Sequence, residues 1–330
     1  MKHPAYHLRP NKAIDRVLLL KVIDIMGRTY DLSKYTYFGL GGPFLDDIRL
    51  VGHEFPQLRF VSIERDLDTH KRQRFHCSTK RLRFVNSSVE TYLKEEFPSD
   101  TLSIFWLDYT DLSPSNLEEF GEVLELVGCP SIVKVTVRAQ FDRMVSSAAE
   151  RVLTTDLVST LKDGEIADFQ NRFGHYIEPG LDEDQLEAPR FAFLVQSMFE
   201  IVAQRTLPSV GSKVFQLVHS CRYADGRSQM LTLTGLVCDT SERIKIQRLY
   251  RKWRYANLDW QEPHHIDVPN LSLKETLLLE KHLPALNRTG KALQRCLGYM
   301  IDESQSASER KLRQYQDFYQ FYPFFAKITV

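Results

Sequence analysis

The chain has 330 residues, with 43 basic and 43 acidic side chains, and 43% of its residues are hydrophobic. This length can bury a large core in one extended domain or two. The balanced charge excludes a general attraction to nucleic acids or membranes, so such a partner would need a local patch. No segment approaches the roughly 20 apolar residues of a membrane-spanning helix or resembles a secretion signal. Five cysteines without a Cys-x-x-Cys pair predict reduced thiols and, with these features, a cytoplasmic protein.

The first 140 residues predict a helix followed by strands that alternate with helices. Apolar residues spaced three or four apart indicate the first helix at 11–27. Strands are predicted at 35–38, 59–63, 82–85, 103–107 and 131–137, with helices between them, as at 89–97 and 117–127. This alternation is typical of a parallel sheet with helices on both faces.

The rest of the chain is less regular. Residues 148–205 are predicted to be mainly helical, and strands at 214–222 and 228–238 are joined through Asp225-Gly226, a hairpin signal. A basic aromatic stretch, a turn at 262–269 and two or three helices follow. The predicted fold class is α/β: a Rossmann-type, mostly parallel sheet with an antiparallel terminal hairpin over 1–240. It includes a helical insertion at about 148–205, and a C-terminal helical region occupies 241–330.

Successive strands are predicted to end at a glycine or a polar residue at nearly constant intervals. These residues are 23, 22 and 22 positions apart, in the order Gly41, Glu64, Asn86 and Asp108. In open α/β sheets the ligand lies outside the carboxyl ends of the strands. Glycines after the first strand allow close approach of the backbone, and Glu64 is placed to accept hydrogen bonds from ribose hydroxyls. The series favours a nucleotide site over a plain strand-to-helix turn.

The glycine-rich turn favours a ligand without phosphates. A dinucleotide site has the pattern G-x-G-x-x-G, whereas this chain has Phe44 where the third glycine belongs. Pro43 also lacks the N–H group that a phosphate would accept. These two residues disfavour an NAD-linked oxidoreductase, which is kept as the third candidate function after the two given below.

Four segments carry a resemblance to a known class of enzymes: RPNKAIDR at 9–16, YTYFG at 35–39, SIER at 62–65 and FWLDY at 105–109. They resemble class I S-adenosylmethionine-dependent methyltransferases, and more closely an uncharacterised bacterial group assigned as O-methyltransferases. The likeness covers about residues 8–140. It implies a methyltransferase, directed at oxygen and with an unknown acceptor, that uses S-adenosylmethionine as its cofactor.

The resemblance also implies which residues form the site. The glycines would line the methionine portion, Glu64 would hold the ribose, and Asn86 or Ser87 would lie near the adenine. The cofactor-binding set is Gly39, Gly41, Gly42, Glu64, Asn86 and Ser87. The catalytic set is Asp108, as base or orienter of the acceptor, with Tyr109 beside it.

Two departures from the family pattern bear on function. An acid usually precedes the glycines, but Tyr37 and Phe38 stand there, and Asp46 or Asp47 after the loop could replace it. The missing acid favours the second alternative, a non-catalytic nucleotide-sensing or scaffold protein with the same pocket. The sequence DYTD at 108–111 differs from the Asp/Asn-Pro-Pro-Tyr pattern of adenine and amide-nitrogen methyltransferases, which argues against those acceptors.

Two other sets of residues are considered as metal sites. Asp108 and Asp111 could chelate Mg²⁺, but a loop with one functional acid is the favoured interpretation. His264-His265 follows a proline in a predicted turn, and without a third ligand an exposed loop pair is favoured over zinc. No metal site is therefore predicted.

Two aromatic segments are candidate partner surfaces. The first combines Tyr250, Trp253 and Tyr255 with basic residues that suit nucleic acid: Arg243, Lys245, Arg248, Arg251, Lys252 and Arg254. The alternative is a basic helix face whose aromatic residues pack inward. The second is the C-terminal group of Tyr315, Phe318, Tyr319, Phe321, Tyr322, Phe324 and Phe325. It predicts a docking helix, packed on this chain or on a protein partner.

Overall fold

A computed structural model describes residues 9–77, 79–141, 155–207, 211–226, 228–284 and 289–323, with backbone alone for 155–163. The chain divides into two compact units. The larger comprises Val22–Arg222 and Ser228–His264, and the smaller comprises Met1–Lys21, Tyr223–Arg227 and His265–Val330. These units are defined by packing contacts and do not test the predicted domain boundary at residue 240, which stays a prediction.

The strands of the described residues form one eight-stranded sheet in the order β3-β2-β1-β4-β5-β7-β6-β8. Their bounds are β1 Thr36–Gly39, β2 Arg59–Ile63, β3 Leu82–Val85, β4 Ser103–Asp108, β5 Ser131–Arg138, β6 Lys213–Asp225, β7 Ser228–Asp239 and β8 His264–Ile266. Neighbours among β1 to β5 pair in parallel, and β7 pairs antiparallel with β5. The predicted Rossmann-type fold with an antiparallel end is confirmed.

Helices connect the strands and follow the sheet. Within the described residues they are α1 Pro10–Gly27, α2 Asp46–Glu54, α3 Leu67–His76, α4 Val89–Glu95, α5 Pro114–Leu126, α6 Thr155–Phe173, α7 Arg190–Thr206, α8 Arg243–Tyr250, α9 Leu273–Glu280, α10 Gly290–Leu297 and α11 Gln305–Phe318. The side chains of Asp66, Ser88 and Ser113 cap α3, α4 and α5. Each such cap stabilises its helix by about 1 kcal/mol, so these helices begin soon after β2, β3 and β4 end.

Aromatic side chains fill much of the core of the larger unit. Phe38 of β1 stacks on Phe105 of β4, with ring centroids 5.1 Å apart. Phe120 of α5 meets Phe199 of α7 edge to face at 5.1 Å. A Cβ atom on Gly121 would lie 3.1 Å from Thr206 Oγ1, so the absence of a side chain lets α5 and α7 approach closely. The central strands are therefore held in place by side-chain packing as well as by the backbone hydrogen bonds between them.

The smaller unit is held together by polar contacts and buried aromatic rings. Arg9 forms an ion pair with Asp225, and Asn11 accepts a hydrogen bond from the Val268 amide at 3.0 Å. Among the C-terminal aromatics Tyr315, Phe318 and Tyr322 are buried, whereas Phe324 and Phe325 lie outside the described residues. This burial supports a helix that docks through its aromatic face, and a protein partner there stays a prediction.

The structure corrects one local prediction. The predicted turn at 262–269 contains β8, and His264 and His265 are partly buried within it instead of forming an exposed loop pair. The His264 ring stacks on that of His219 of β6 at a centroid distance of 5.9 Å. Among the described helices, none combines the length and apolar character needed to cross a membrane.

Candidate functional site

The register of the sheet brings the predicted strand-end residues to one rim. Gly39 of β1 is aligned with Ser62 of β2 and Trp106 of β4, and Ser62 is aligned with Phe84 of β3. Two positions beyond this line, in the order β3, β2, β1, β4, lie Asn86, Glu64, Gly41 and Asp108. With neighbouring strands about 4.8 Å apart, this row spans about 14 Å, which suits a nucleoside carrying an amino-acid chain.

The glycine-rich turn lies where the strand order reverses. From β1 the chain continues to β2 and β3 on one side, whereas β4 lies on the other. This switch point is where open α/β sheets bind their ligands. The turn ends at Leu45, which has a left-handed φ of 55° directly before α2. A non-glycine residue in this conformation is uncommon and is often found at functional sites.

Gly41 and Gly42 differ in what a side chain would meet. A Cβ atom on Gly41 would lie 3.0 Å from both Leu45 Cδ2 and Ser62 Oγ, whereas one on Gly42 would meet nothing within 4 Å. The Gly41 carbonyl accepts a hydrogen bond from the amide of Gln73, a buried residue of α3. Gln73 in turn accepts a hydrogen bond from Ser62 Oγ at 3.0 Å. Gly41 thus serves packing, and Gly42 leaves the turn open.

An acidic side chain reaches the first glycine from α2. A Cβ atom on Gly39 would lie 3.0 Å from Asp47 Oδ2, and the same oxygen accepts a hydrogen bond from the Tyr37 hydroxyl at 2.9 Å. Of the two acids considered as replacements for the missing strand acid, Asp47 therefore has its carboxylate beside the glycines. A negative charge is present at this point of the turn although β1 carries none.

Glu64 and Asn86 are tied to the rim by short-range hydrogen bonds. Glu64 Oε1 accepts from the Asp66 amide at 2.8 Å, and partial burial raises the pKa of this carboxyl, a shift that its backbone hydrogen bonds oppose. Asn86 Nδ2 donates to the backbone carbonyls of Glu64 at 2.7 Å and Arg65 at 3.2 Å. Ser87 Oγ donates to the Ser88 carbonyl. The side-chain donor groups of Asn86 and Ser87 thus shape the loop, and their assignment to the adenine stays a prediction.

Asp108 is the last residue of β4, and Tyr109 follows it. Asp108 is partly buried and interacts with other protein groups. The Tyr109 hydroxyl donates to Glu119 Oε2 of α5 at 2.5 Å. Burial raises the pKa of Tyr109 far above its ordinary value and also raises the pKa of Glu119. Tyr109 is therefore protonated at neutral pH and its proton is engaged by α5, so it is poorly suited to act as a base.

Sequence patterns did not reveal Ser62, Gln73 or Lys134 as residues near the rim. Lys134 is 1% exposed in the valine-rich strand β5, and its ammonium group lies 4.6 Å from the ring centroid of Trp106. The Trp106 indole donates to Thr136 Oγ1 at 3.0 Å. The sequence offered one sign of this position, since Lys134 is a charged residue in an otherwise largely apolar strand.

The remaining candidates lie apart from this row. Asp111 is exposed and faces Arg138 at 3.8 Å. Within the described residues, no group of three or more His, Cys, Asp or Glu side chains is arranged to hold a metal ion. In the basic aromatic segment, Tyr250 and Tyr255 are buried, which supports inward packing of its aromatics over stacking on bases.

A Rossmann-type sheet with a glycine-rich turn at its switch point is the architecture of a nucleotide-binding protein. Residues 4–330 match the family described as "Putative O-methyltransferase". The chain belongs to this family. The predicted class, an S-adenosylmethionine-dependent methyltransferase, is thereby confirmed, and with it the cofactor.

Comparison with solved structures adds distant likenesses. A "putative O-methyltransferase" from Klebsiella pneumoniae has a TM-score of 0.39 at 12% identity, covering 71% of this chain and 83% of its own. A SAM-dependent methyltransferase from Aquifex aeolicus has 0.35 at 10%, covering 68% and 89%. Trm1 from Pyrococcus horikoshii, in complex with S-adenosyl-L-methionine, has 0.43 at 10%, covering 71% of this chain and 57% of its own. No curated protein matches the chain.

Proposed function

We propose that this protein transfers the methyl group of S-adenosylmethionine to an oxygen of its acceptor. The observation that carries the proposal is the row of Asn86, Glu64, Gly41 and Asp108 across four adjacent strands. It offers a carboxylate for ribose hydroxyls on one side of the turn and a second carboxylate on the other. When bound, S-adenosylmethionine supplies a methyl group made electrophilic by a positive sulfonium.

The glycine turn fits the amino-acid end of this cofactor. Gly42 leaves space on its open side, and Pro43 offers no N–H to a phosphate. Asp47 supplies a negative charge beside Gly39, where it would attract the ammonium group of the methionine portion. The acid missing from β1 is replaced in this way from α2, which weakens the case for a non-catalytic sensor.

Asp108 is the proposed base or orienter of the acceptor. An oxygen acceptor becomes a better nucleophile as it loses its proton, and a carboxylate within hydrogen-bond reach can accept that proton during transfer. The position of Asp108, on β4 beside the glycine-bearing strand, puts it at the opposite end of the row from Asn86. Tyr109 would act indirectly, because its hydroxyl is bonded to Glu119.

Ligand binding tests the proposal. S-adenosylhomocysteine should raise the melting temperature, whereas NAD and ATP should not, because the turn is unsuited to phosphates. At a hundred times its dissociation constant, a ligand stabilises the fold by about 2.7 kcal/mol. Glu64→Ala should weaken S-adenosylhomocysteine binding by roughly ten- to a hundredfold in calorimetry, since charged hydrogen bonds to ribose are lost. A larger shift with NAD would overturn the proposal. Tight donor binding without labelling of any acceptor pool would favour the sensor.

A further inference from the structure

The segment after α8 forms the wall of an open cavity of about 400 Å³ in the larger unit. Exposed Arg251, Lys252 and Arg254 line it, and the single acidic residue of the lining is Asp259. Three cations against one carboxylate make this cavity positive in a chain whose formal net charge is zero. Its charge is therefore local, as binding of a polyanion by a neutral protein requires.

The basic aromatic segment, residues 243–255, comprises α8 and the start of the cavity wall, and its available positive charge lies towards its C-terminal end. Lys245 pairs with Glu242 at 3.1 Å, and Arg243 Nε donates to Gln216 at 2.8 Å. Arg248, Arg251 and Lys252 are exposed and form no ion pair within the part of the chain that the structure describes. These three side chains can therefore approach an external anion without breaking a salt bridge.

The cavity wall is pinned to β6 by buried groups. Asn257 donates through Nδ2 to Ser220 Oγ at 2.8 Å and through its backbone amide to the Val218 carbonyl at 3.0 Å. His219 Nδ1 lies 2.7 Å from the carbonyl oxygen of Tyr255. Because a carbonyl oxygen can only accept a hydrogen bond, Nδ1 is the donor and carries the proton. A wall held in this way is formed before a ligand arrives, which lowers the entropic cost of binding.

The aromatic residues of the segment belong to this support. Tyr250 donates its hydroxyl to the Val22 carbonyl at 2.8 Å. The Trp253 ring packs against His219 at 5.2 Å and Tyr255 at 5.9 Å. Tyr250 and Tyr255 are buried, so their rings are not available to bases, and Trp253 lines the cavity while partly buried. The exposed groups of the cavity are chiefly its cations, which suits it to charge more than to base stacking.

We propose that the cavity holds a backbone phosphate of a nucleic-acid strand, bound by Arg251, Lys252 and Arg254, with Arg248 contacting a neighbouring phosphate. Guanidinium groups bind phosphate oxygens in pairs, and phosphate contacts carry no sequence information. Because Arg248 extends the group of exposed cations beyond the cavity, the surface suits a polymer of repeated phosphates better than a single small anion.

Fluorescence anisotropy with a labelled 20-nucleotide single-stranded RNA of mixed sequence, and its DNA equivalent, tests this proposal on the full chain. With two phosphates neutralised, affinity should fall about sevenfold between 50 and 200 mM salt. Arg251→Glu with Lys252→Glu should abolish most binding and flatten the salt slope. The matched control is Lys274→Glu with Lys281→Glu, which makes the same change in net charge at other exposed lysines.

The outcomes are distinct. Equal binding of different sequences that is lost in the Arg251/Lys252 variant and kept in the control supports the proposal. Thermal unfolding verifies that both variants fold, and Arg251→Gln with Lys252→Gln provides a milder change. No binding at 50 mM salt overturns it, as does equal loss in the control. Displacement by inorganic phosphate, poly-glutamate or anionic lipid vesicles, each at a concentration of negative charge matched to that of the RNA, would also overturn it. None of these readouts depends on methyl transfer.

Discussion

The strand-end rim and the cavity after α8 are built in opposite ways. At the rim, parallel pairing of β1 to β4 aligns Glu64, Gly41 and Asp108, so position follows from backbone hydrogen bonds. At the cavity, side-chain hydrogen bonds fix a loop to β6. Asn257 of the loop bonds to Ser220 of β6, and His219 of β6 bonds to the Tyr255 carbonyl of the loop. Substitutions of the rim carboxylates Glu64 and Asp108 should therefore alter chemistry while sparing the fold, whereas substitutions beneath the cavity should alter stability.

The largest expected effect is on methyl transfer and concerns Asp108 at the rim. Asp108→Asn keeps the shape of the side chain and removes its charge, so S-adenosylmethionine affinity should stay nearly normal. Methyl transfer should fall on the order of a hundredfold or more, the scale of losing a general base. The measurement uses radiolabelled donor with pools of RNA, protein and small molecules from cell extract.

Asp111→Asn is the matched control for this prediction, because Asp111 is an exposed acid three positions further on and faces Arg138. It should label the same acceptor at a rate close to that of the unaltered protein. Unchanged labelling by Asp108→Asn would show that Asp108 is a strand-end residue without a role in transfer.

A pair of glycine variants sharpens the distinction between packing and binding within the rim. Gly42→Val should leave the melting temperature unchanged, since its side chain meets open space, but weaken S-adenosylhomocysteine binding about thirtyfold, or about 2 kcal/mol. Gly41→Val should lower the melting temperature, because its Cβ atom would lie 3.0 Å from Leu45 and Ser62. Thermal unfolding and calorimetry separate the two. Intact binding in Gly42→Val would place the ligand elsewhere.

The smallest expected effect concerns the support of the cavity. Complete burial lowers the pKa of His219 from 6.5 to about 3, so this ring is neutral in the folded protein but takes up a proton when unfolded. The free energy of unfolding should therefore fall as pH drops below 6.5, and His219 should contribute about 1 kcal/mol of this loss between pH 6.5 and 5.5.

His219→Gln keeps a donor for the Tyr255 carbonyl and removes the titration. Urea unfolding at the two pH values should show a smaller pH dependence by that amount. His53→Gln, which removes a largely exposed imidazole, is the matched control. Equal pH dependence in His219→Gln and the unaltered protein would contradict the assigned burial effect.

Sequence patterns predicted the features that depend on the backbone. Strands at 59–63 and 82–85 have the predicted bounds, and the even spacing of strand ends corresponds to one rim. The three-residue strand β8 was missed because it is too short for an alternating pattern. The contact between Gln73 and the Gly41 carbonyl, and that between Asp47 and Tyr37, join different elements. Such contacts depend on the packed geometry of a helix against the turn, which no local pattern encodes.

Composition was a weaker guide than spacing in the basic aromatic segment. Cations and aromatic rings are interleaved there, which fits both a nucleic-acid surface and an inward-packed helix. Burial of Tyr250 and Tyr255 separates the two kinds of residue: the rings stabilise the loop and the cations remain outside. Residue types alone do not indicate which side of a short helix and turn faces the core.

The contact of Gln73 with both Ser62 and the Gly41 carbonyl has a consequence for cofactor engineering. Gln73 lies on α3, the helix that begins three residues after Glu64. Changing the shape of the turn through Gly41 would therefore disturb the helix beside Glu64, the carboxylate proposed to hold the ribose, as well. A donor analogue with an enlarged sulfonium substituent would instead have to use the space already open beside Gly42, where a Cβ atom would meet no protein atom within 4 Å.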